Sequence, residues 1–371
     1  MDVLHDYHDP PCYEIDYVIA INAIRRNRIL LVSTPSTAGL LELINTTTVF
    51  EVGDPRDKAF TLWSMVYQDG LKISYEQSIR DMFISVSRWC LHYDLQLLSL
   101  AGLHLGRVSI GALRLPSWCL PPNSGYFRRF ESASHFKADV CGRAVVNVAP
   151  KSKPFDESSS IYVVDALLIT ELDGSGCTKV SWSVTTALQD PLQVLDRVIR
   201  GAEPRAENLG QADKLRLCSA LLPDLDTAQP SALELIDHSS AMIFEALACH
   251  SRGGPYPEKR TPEYTQPMSV SIRISSFTDE RKLCTTKSGQ YAWVPGCATE
   301  GDMIFFVRGA KVPFMLWPVH DLLVGSTHMK QYQLVGEAWV ENIMEAAMTN
   351  GKRITIVGPM LSTIWPRDTV T

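Results

Sequence analysis

The residues of this chain that could carry out chemistry are densest in one short stretch, Asp54-Pro55-Arg56-Asp57-Lys58. Two carboxylates and two cations this close together could serve a catalytic site or a structural network of ion pairs. Asp54 fits the N-cap of a helix, and Pro55 fits its first position. Apolar residues then recur at every third position, as on one face of a helix, at Phe60, Trp63 and Val66. Because surface charges are common and usually solvated, the pattern favours a structural cluster over a catalytic site.

Three members of this stretch have different expected roles. Asp54 is expected to accept a hydrogen bond from a backbone N–H in the first turn of the helix. Arg56 is the expected long-range contact, because its planar guanidinium can hold a carboxylate or several carbonyls at once. Lys58 is expected to matter less for stability, since its flexible ammonium group can reach water.

Outside this stretch the sequence contains no recognised catalytic motif. A Gly-x-Ser-x-Gly elbow, a phosphate-binding P-loop, a His-Glu-x-x-His pair and the kinase motifs are all absent. Glu337 lies in a strand-like and partly apolar context, which could raise the pKa of its carboxyl group and suit a general acid. A salt-bridged or edge-exposed glutamate is the preferred interpretation. The sequence therefore predicts no catalytic, cofactor-binding or metal-binding residue, and it leaves an enzymatic activity open while disfavouring it.

Composition restricts the class of protein and its partners. The chain has 371 residues, 45% hydrophobic and 20% charged, with a net charge of −6. A general nucleic-acid binder would carry a basic excess, and no apolar run approaches the ~18 residues of a membrane span. Nine cysteines without zinc-ligand spacing suit reduced thiols in the cytosol. We therefore predict a cytoplasmic globular protein without cofactor, nucleic acid or membrane partner, which acts on an unidentified protein partner.

The N-terminal region, residues 1–150, is predicted to be mainly helical. Apolar spacing indicates helices between residues 15 and 44, ahead of the charged stretch. Further on, Ser74 with Gln77 three residues later forms a capping-box pattern. A clean apolar stripe follows, so we expect an amphipathic helix over about 75–93.

The rest of the chain, residues 151–371, is predicted to form an α+β region. It opens with the polar stretch 151–160, a candidate domain boundary, and β-branched residues then indicate a strand over 161–172. Several helices are expected over 190–249. Their start signals are Asp190-Pro191 and the capping-box pattern of Ser231 with Glu234.

The last third of the chain changes its apolar period. Glycines and prolines indicate a surface loop over 251–267, and a β-rich segment is expected over 268–340. Its first strand is predicted from alternating apolar residues, Val270, Ile272 and Ile274. Two hairpins follow at 282–294 and 303–317, with a further strand at 331–340. With an edge strand at 354–357, these elements predict an α+β fold whose C-terminal part is an antiparallel sheet or small barrel.

Five stretches of the chain resemble, in the same order, motifs of fungal heterokaryon-incompatibility (HET) domain proteins. The first is the charged stretch, which is similar to the family signature D-P-R-D-K. The second is Leu95–Gly102, similar to L-x-L-L-S-x-A-G, and the third is Leu115–Trp118, similar to L-P-S-W. The fourth runs from Gly301 to Pro313, similar to G-D-x-[VI]…G…P. The fifth is Tyr332–Val340, similar to Y-x-L-[VI]-G-E-[AC]-[YW]-V.

The resemblance implies mainly structural roles for the matching residues. These are Asp54, Pro55, Arg56, Asp57, Lys58, Pro116, Ser117, Trp118, Gly301, Asp302, Gly336 and Glu337. Two endings depart from the family pattern. After Trp118 the family usually has P-D-W, whereas this chain continues with Cys119 and Leu120. After the fifth stretch Asn342 replaces a glycine.

HET proteins usually begin with a block containing Y-x-A-L-S-Y-x-W-G and W-I-D-x-[LI]-C-I-x-Q. That block is similar to the TIR signalling domain and is the proposed death effector of the family. Neither motif occurs in this chain. The resemblance therefore makes residues 1–150 the tail of a HET-like domain, and it implies that overexpression of this chain in a fungal host causes little death.

Two functions from different classes follow from the resemblance. The first is a role in fungal non-self recognition, without catalysis and through protein contacts. The second is an enzyme or accessory protein of fungal secondary metabolism that reuses the HET scaffold, which the missing block and altered motif endings favour. Membership of a family does not by itself establish an activity. The choice between the two functions depends on the geometry and chemistry of the site.

Overall fold

The computed structural model describes residues 53–65, 74–93, 95–102, 115–120, 161–173, 190–223, 230–252, 261–278, 281–307, 310, 312–318, 322–324, 327–329, 331–341 and 352–357. The helices are α1 (Pro55–Met65), α2 (Ile79–Tyr93), α3 (Pro191–Ala202), α4 (Gln211–Leu221), α5 (Pro230–Ser251) and α6 (Pro262–Thr278), with short 3₁₀ helices at Leu95–Leu100 and Ala206–Asn208. The strands are β1 (Ile161–Glu171), β2 (Arg281–Thr285), β3 (Tyr291–Pro295), β4 (Met303–Val307), β5 (Phe314–Pro318), β6 (Leu322–Val324), β7 (Thr327–Met329), β8 (Gln331–Glu337), β9 (Trp339–Val340) and β10 (Lys352–Val357). The predicted α+β class is confirmed. The helices predicted between residues 15 and 44 and the predicted boundary at 151–160 lie outside the described residues.

Helix α2 begins one turn later than predicted. Its first residue is Ile79, and the side chain of Ser78 forms the actual cap by accepting a hydrogen bond from Asp81 N at 3.1 Å. The Ser78 hydroxyl in turn donates to the Asp81 carboxylate at 2.6 Å. The predicted pair does make contact, since Ser74 N donates to the Gln77 side chain at 3.3 Å. That contact lies in the preceding turn, because a second polar pair three residues apart follows and caps the helix instead.

The middle helices start where local signals are strong. Helix α3 begins as predicted, with the carboxylate of Asp190 accepting a hydrogen bond from Gln193 N at 3.0 Å. Helix α5 begins at Pro230, so the predicted cap Ser231 already lies inside the first turn. A proline is favourable at a first helical position, where its missing N–H has no partner to lose.

The segment predicted as the first β-rich element is a helix, and this prediction was wrong. Residues 268–278 belong to α6, which also takes up the end of the predicted 251–267 loop. The buried residues of α6 lie on one face of a helix: Tyr264, Pro267, Val270, Ser271 and Ile274. This face packs on α5 and α3. The alternating pattern was therefore a coincidence within a helical period, and the tertiary contacts overrode the β preference of its residues.

Five strands close into a barrel in the order β1-β10-β8-β5-β4. Neighbouring strands are antiparallel, except β10 and β8, which pair in parallel through Thr355 with Gln331 and Ile356 with Tyr332. Strand β1 precedes all the middle helices, yet it closes the barrel between β10 and β4. The last strand, β10, was predicted at an edge, but it is hydrogen-bonded to a neighbouring strand on both sides.

A second sheet in the order β2-β3-β9 lies beside the barrel, and β6 pairs with β7 in a small hairpin. The predicted hairpins β2–β3 and β4–β5 are both confirmed. The larger of two apolar clusters among the described residues joins helices and sheets, and it includes the fully buried Trp118 and Trp293. The indole N–H of Trp293 donates to Ala220 O at 2.7 Å, which satisfies its polar atom inside that core. None of the described helices is both long and apolar enough to cross a bilayer.

Candidate functional site

The charged stretch forms a compact cluster at the start of α1. Asp54 is the N-cap as predicted, because its carboxylate accepts a hydrogen bond from Arg56 N at 2.9 Å. The same carboxylate also holds the guanidinium of Arg56, which donates from Nε at 3.0 Å and from Nη2 at 2.6 Å. This pair lowers the pKa of Asp54 and raises that of Arg56, through the side-chain hydrogen bonds between them. Both side chains keep a quarter to a third of their surface in water.

Arg56 also makes the longer-range contact that the sequence predicts. Its Nη1 donates to Tyr75 O at 2.8 Å and to Gln77 O at 3.3 Å, so it fastens the turn before α2 to the start of α1. The side chain of Tyr75 in turn contacts two residues of α1. Its phenol donates to the carboxylate of Asp57, and its ring stacks on Phe60 with centroids 4.1 Å apart. The hydrogen bond to Asp57 raises the pKa of Tyr75.

Lys58 is partly buried at the start of α1. Burial lowers the pKa of its ammonium group. No described residue pairs with it, so the charged form is disfavoured without compensation. Lys58 therefore does not hold the cluster together.

The third motif stretch lies fully buried between α2 and the barrel. Ser117 Oγ accepts a hydrogen bond from Leu334 N of β8 at 2.9 Å, and Pro116 O accepts one from Cys119 N at 2.9 Å. Trp118 is completely buried, with the guanidinium of Arg88 over its ring at 5.8 Å. These contacts hold the segment between helix α2 and strand β8. Pro116, Ser117 and Trp118 therefore have structural roles.

The fourth motif stretch supports the turn into β4. Gly301 has a positive φ of 79°, a conformation that glycine adopts without strain. The buried carboxylate of Asp302 accepts hydrogen bonds from Thr299 N at 2.7 Å and from Trp317 Nε1 at 2.9 Å. Asp302 therefore joins the turn to strand β5, which is a structural use of both motif residues.

The fifth motif stretch contains the most buried ion pair among the described residues. Glu337 is paired with Arg281, and the two side chains are 0% and 1% exposed. The preferred interpretation of Glu337 as a salt-bridged residue is confirmed. Gly336 lies opposite Met315 at a register shift between β5 and β8. Sequence analysis missed Arg281, because a partner 56 positions away leaves no local signal.

A second arginine cluster was also missed. Arg216 of α4 donates to the carboxylate of Glu341 from Nε at 3.0 Å and from Nη2 at 2.8 Å, and Nη2 also reaches Gly289 O at 3.0 Å. The guanidinium lies over the ring of Tyr291 at 5.6 Å. Hydrogen bonding to Glu341 raises the pKa of Arg216. This cluster joins the middle helices to the second sheet.

These contacts leave little for catalysis in the described part of the chain. The side chains of Arg56, Asp57, Ser117 and Asp302 are each engaged in intramolecular hydrogen bonds. Burial raises the pKa of the thiols of Cys119 and Cys218 to about 12, so neither is a nucleophile at neutral pH. Within the described residues, no three His, Cys, Asp or Glu side chains are grouped so as to hold a metal ion. The bonds described above join helices, turns and strands of the fold to one another.

Comparison of the chain with protein-family models, with curated proteins and with solved structures finds no match.

Proposed function

We propose that the chain is a HET-family protein that acts in fungal non-self recognition through protein contacts, without catalysis. The observation that carries this proposal is the meeting of the motif stretches on strand β8. Ser117 of the third stretch accepts from Leu334 of the fifth. Pro313 O of the fourth accepts from Ala338 N of the fifth at 2.8 Å. The second stretch packs on β8 through its 3₁₀ helix.

The first stretch reaches the same framework through helix α2. Helix α1 packs on α2. Ser87 of α2 accepts a hydrogen bond at 2.9 Å from the N–H of Leu120, two residues after the third stretch. Stretches that resemble one family and are far apart in the sequence are therefore contiguous in the fold. Such a framework supports a scaffold whose specificity lies on its surface, since the side chains of Arg56, Ser117 and Asp302 are occupied by internal bonds.

Allele exchange in a filamentous fungus that carries this gene tests the proposal. Strains in which the allele is deleted or replaced are paired with a panel of genetically different strains, and viable heterokaryons are counted. We expect at least one pairing to change between compatible and incompatible. A chain carrying Arg281→Met, which removes the buried partner of Glu337, serves as the destabilised control, and its effect on pairing should follow the fall in its cellular protein level.

Pairing behaviour that is unchanged across the panel, while the parent protein is present at its normal level, would overturn the proposal. Metabolite profiles of the same strains separate it from the biosynthetic alternative. We expect those profiles to be unchanged by the deletion, and the loss of a defined product would favour the enzyme or accessory protein instead.

A further inference from the structure

Tyr75 combines a large exposure with a fully engaged side chain. It is 51% exposed, one of three large hydrophobic side chains that lie open to solvent in the described part of the chain. Even so, its phenol donates to Asp57, its ring stacks on Phe60, and the Arg56 guanidinium lies over the ring at 5.4 Å. A phenol is thus held at the surface by three contacts, and the hydrogen bond to Asp57 depends on its proton.

The contacts around Tyr75 fasten one short turn to one helix. Arg56 binds the main-chain oxygens of Tyr75 and Gln77, and the Tyr75 side chain binds Asp57 and Phe60. On the far side of that turn, α2 begins at Ile79. We call this set of contacts between the turn 74–78 and α1 the latch. Any change at the phenol oxygen acts directly on it.

We propose that the Tyr75 phenol is a phosphorylation site and that its modification opens the latch. The phosphoryl donor is a nucleoside triphosphate, brought by a protein kinase. The phenol oxygen forms a bond to the γ-phosphorus, and the bond from that phosphorus to the β–γ bridging oxygen breaks. The nucleoside diphosphate leaves, and the phenolic proton passes to a base of the kinase.

Electrostatics give the direction of the effect. The esterified oxygen has no proton to donate to Asp57, and the new group brings about −1.5 to −2 charges against that carboxylate. Arg56 could compensate only by leaving Asp54, which it holds by short hydrogen bonds from Nε and Nη2. Repulsion therefore moves the modified side chain away from Asp57, and the stack on Phe60 is lost with it.

Tyr291 provides an internal control in the same chain. It too lies beneath an arginine, Arg216, at 5.6 Å, but its side chain is only 4% exposed. Burial raises the pKa of Tyr291 to about 12. The two tyrosines share an arginine contact and differ in access, so a kinase should discriminate between them in the folded chain.

The test uses the full chain, a purified tyrosine kinase of broad specificity and ATP, with site occupancy measured by mass spectrometry. We expect Tyr75 to be modified at least about tenfold faster than Tyr291, and the difference to vanish in denaturant. Amide hydrogen exchange of the modified chain should then rise about tenfold over 54–60 and 75–78 and stay unchanged in β2 and β3. Tyr75→Phe, which cannot be modified, should keep its exchange unchanged after kinase treatment.

Two results would overturn the proposal. In the first, Tyr75 of the folded chain is modified no faster than Tyr291. In the second, modification is complete but exchange over 54–60 and 75–78 stays as in the unmodified chain. The cellular arm is mass spectrometry of the chain purified from a filamentous fungus with phosphatases inhibited. Recovery of the phosphorylated Tyr75 peptide supports the site, and recovery of that peptide only in unmodified form under all growth conditions overturns it.

Discussion

Two arginine clusters in this protein have nearly the same contacts, but their carboxylate partners lie at very different distances along the sequence. Arg56 and Arg216 each hold one carboxylate through Nε and Nη2, each reach a main-chain oxygen, and each lie over a tyrosine ring. Arg56 binds Asp54, two positions away, whereas Arg216 binds Glu341, 125 positions away. The same side-chain geometry therefore joins the start of α1 to the turn before α2 in the first case. In the second it joins α4 to residues of the second sheet much further along the chain.

Burial of the carboxylate separates the clusters further. The side chain of Asp54 is 32% exposed, and that of Glu341 is 6% exposed. The pair of Arg281 and Glu337, 1% and 0% exposed, extends the series to full burial. A carboxylate that loses its partner in water is resolvated, but one that loses its partner in the interior keeps an uncompensated charge. The cost of removing each arginine should follow this order.

The largest effect is expected for Arg281→Met, which leaves Glu337 buried without its partner. We expect a loss of about 4 kcal/mol in the free energy of unfolding, measured by urea denaturation. The matched control is the double variant Arg281→Met with Glu337→Leu. It should recover most of that loss, because an apolar pair can replace a buried ion pair at little cost. A loss under about 1 kcal/mol for the single variant would contradict the role of burial.

Arg216→Ala should have the next largest effect. It removes both hydrogen bonds to the carboxylate of Glu341 and the contact to Gly289, and we expect a loss of about 2 kcal/mol by the same measurement. Arg200 is a suitable control, since it pairs with Asp196 one turn away on the same helix and the two side chains are 41% and 32% exposed. Arg200→Ala should change stability by less than about 0.5 kcal/mol. Equal losses for the two variants would show that the distant partner of Arg216 does not matter.

Arg56→Ala should have the smallest effect of the three, a fall of about 2 °C in melting temperature by differential scanning calorimetry. The pKa of Asp54 is lowered in the folded chain from its ordinary value of 3.8. The stability contributed by this pair is therefore fully present above pH 3.8 and is lost as the pH falls through the lowered pKa. The difference between parent and variant should shrink at such low pH to the part that comes from the bonds of Arg56 to Tyr75 O and Gln77 O. A fall as large as that of Arg216→Ala would remove the contrast between the local and the distant cluster.

Contacts between residues a few positions apart were predictable from the sequence. Asp54 and Asp190 cap helices at prolines as predicted, and the β2–β3 and β4–β5 hairpins have the predicted positions. The segment Val270 to Ile274 was wrongly predicted as a strand, because a short alternating apolar pattern is compatible with both a strand and a helix. Packing of α6 against α5 and α3 selected the helix.

The sequence by itself determined the α+β class, the strong helix starts and the tight hairpins, because local backbone preferences and neighbouring side chains fix those features. Only the tertiary structure decided that β1 and β10 close a barrel across 180 intervening residues, 172 to 351. It also decided that Arg281 faces Glu337 and that Arg216 faces Glu341. The sequence contains no local signal for these pairs, because the partners are far apart along the chain. They come into contact only when the buried surfaces of the folded chain pack together.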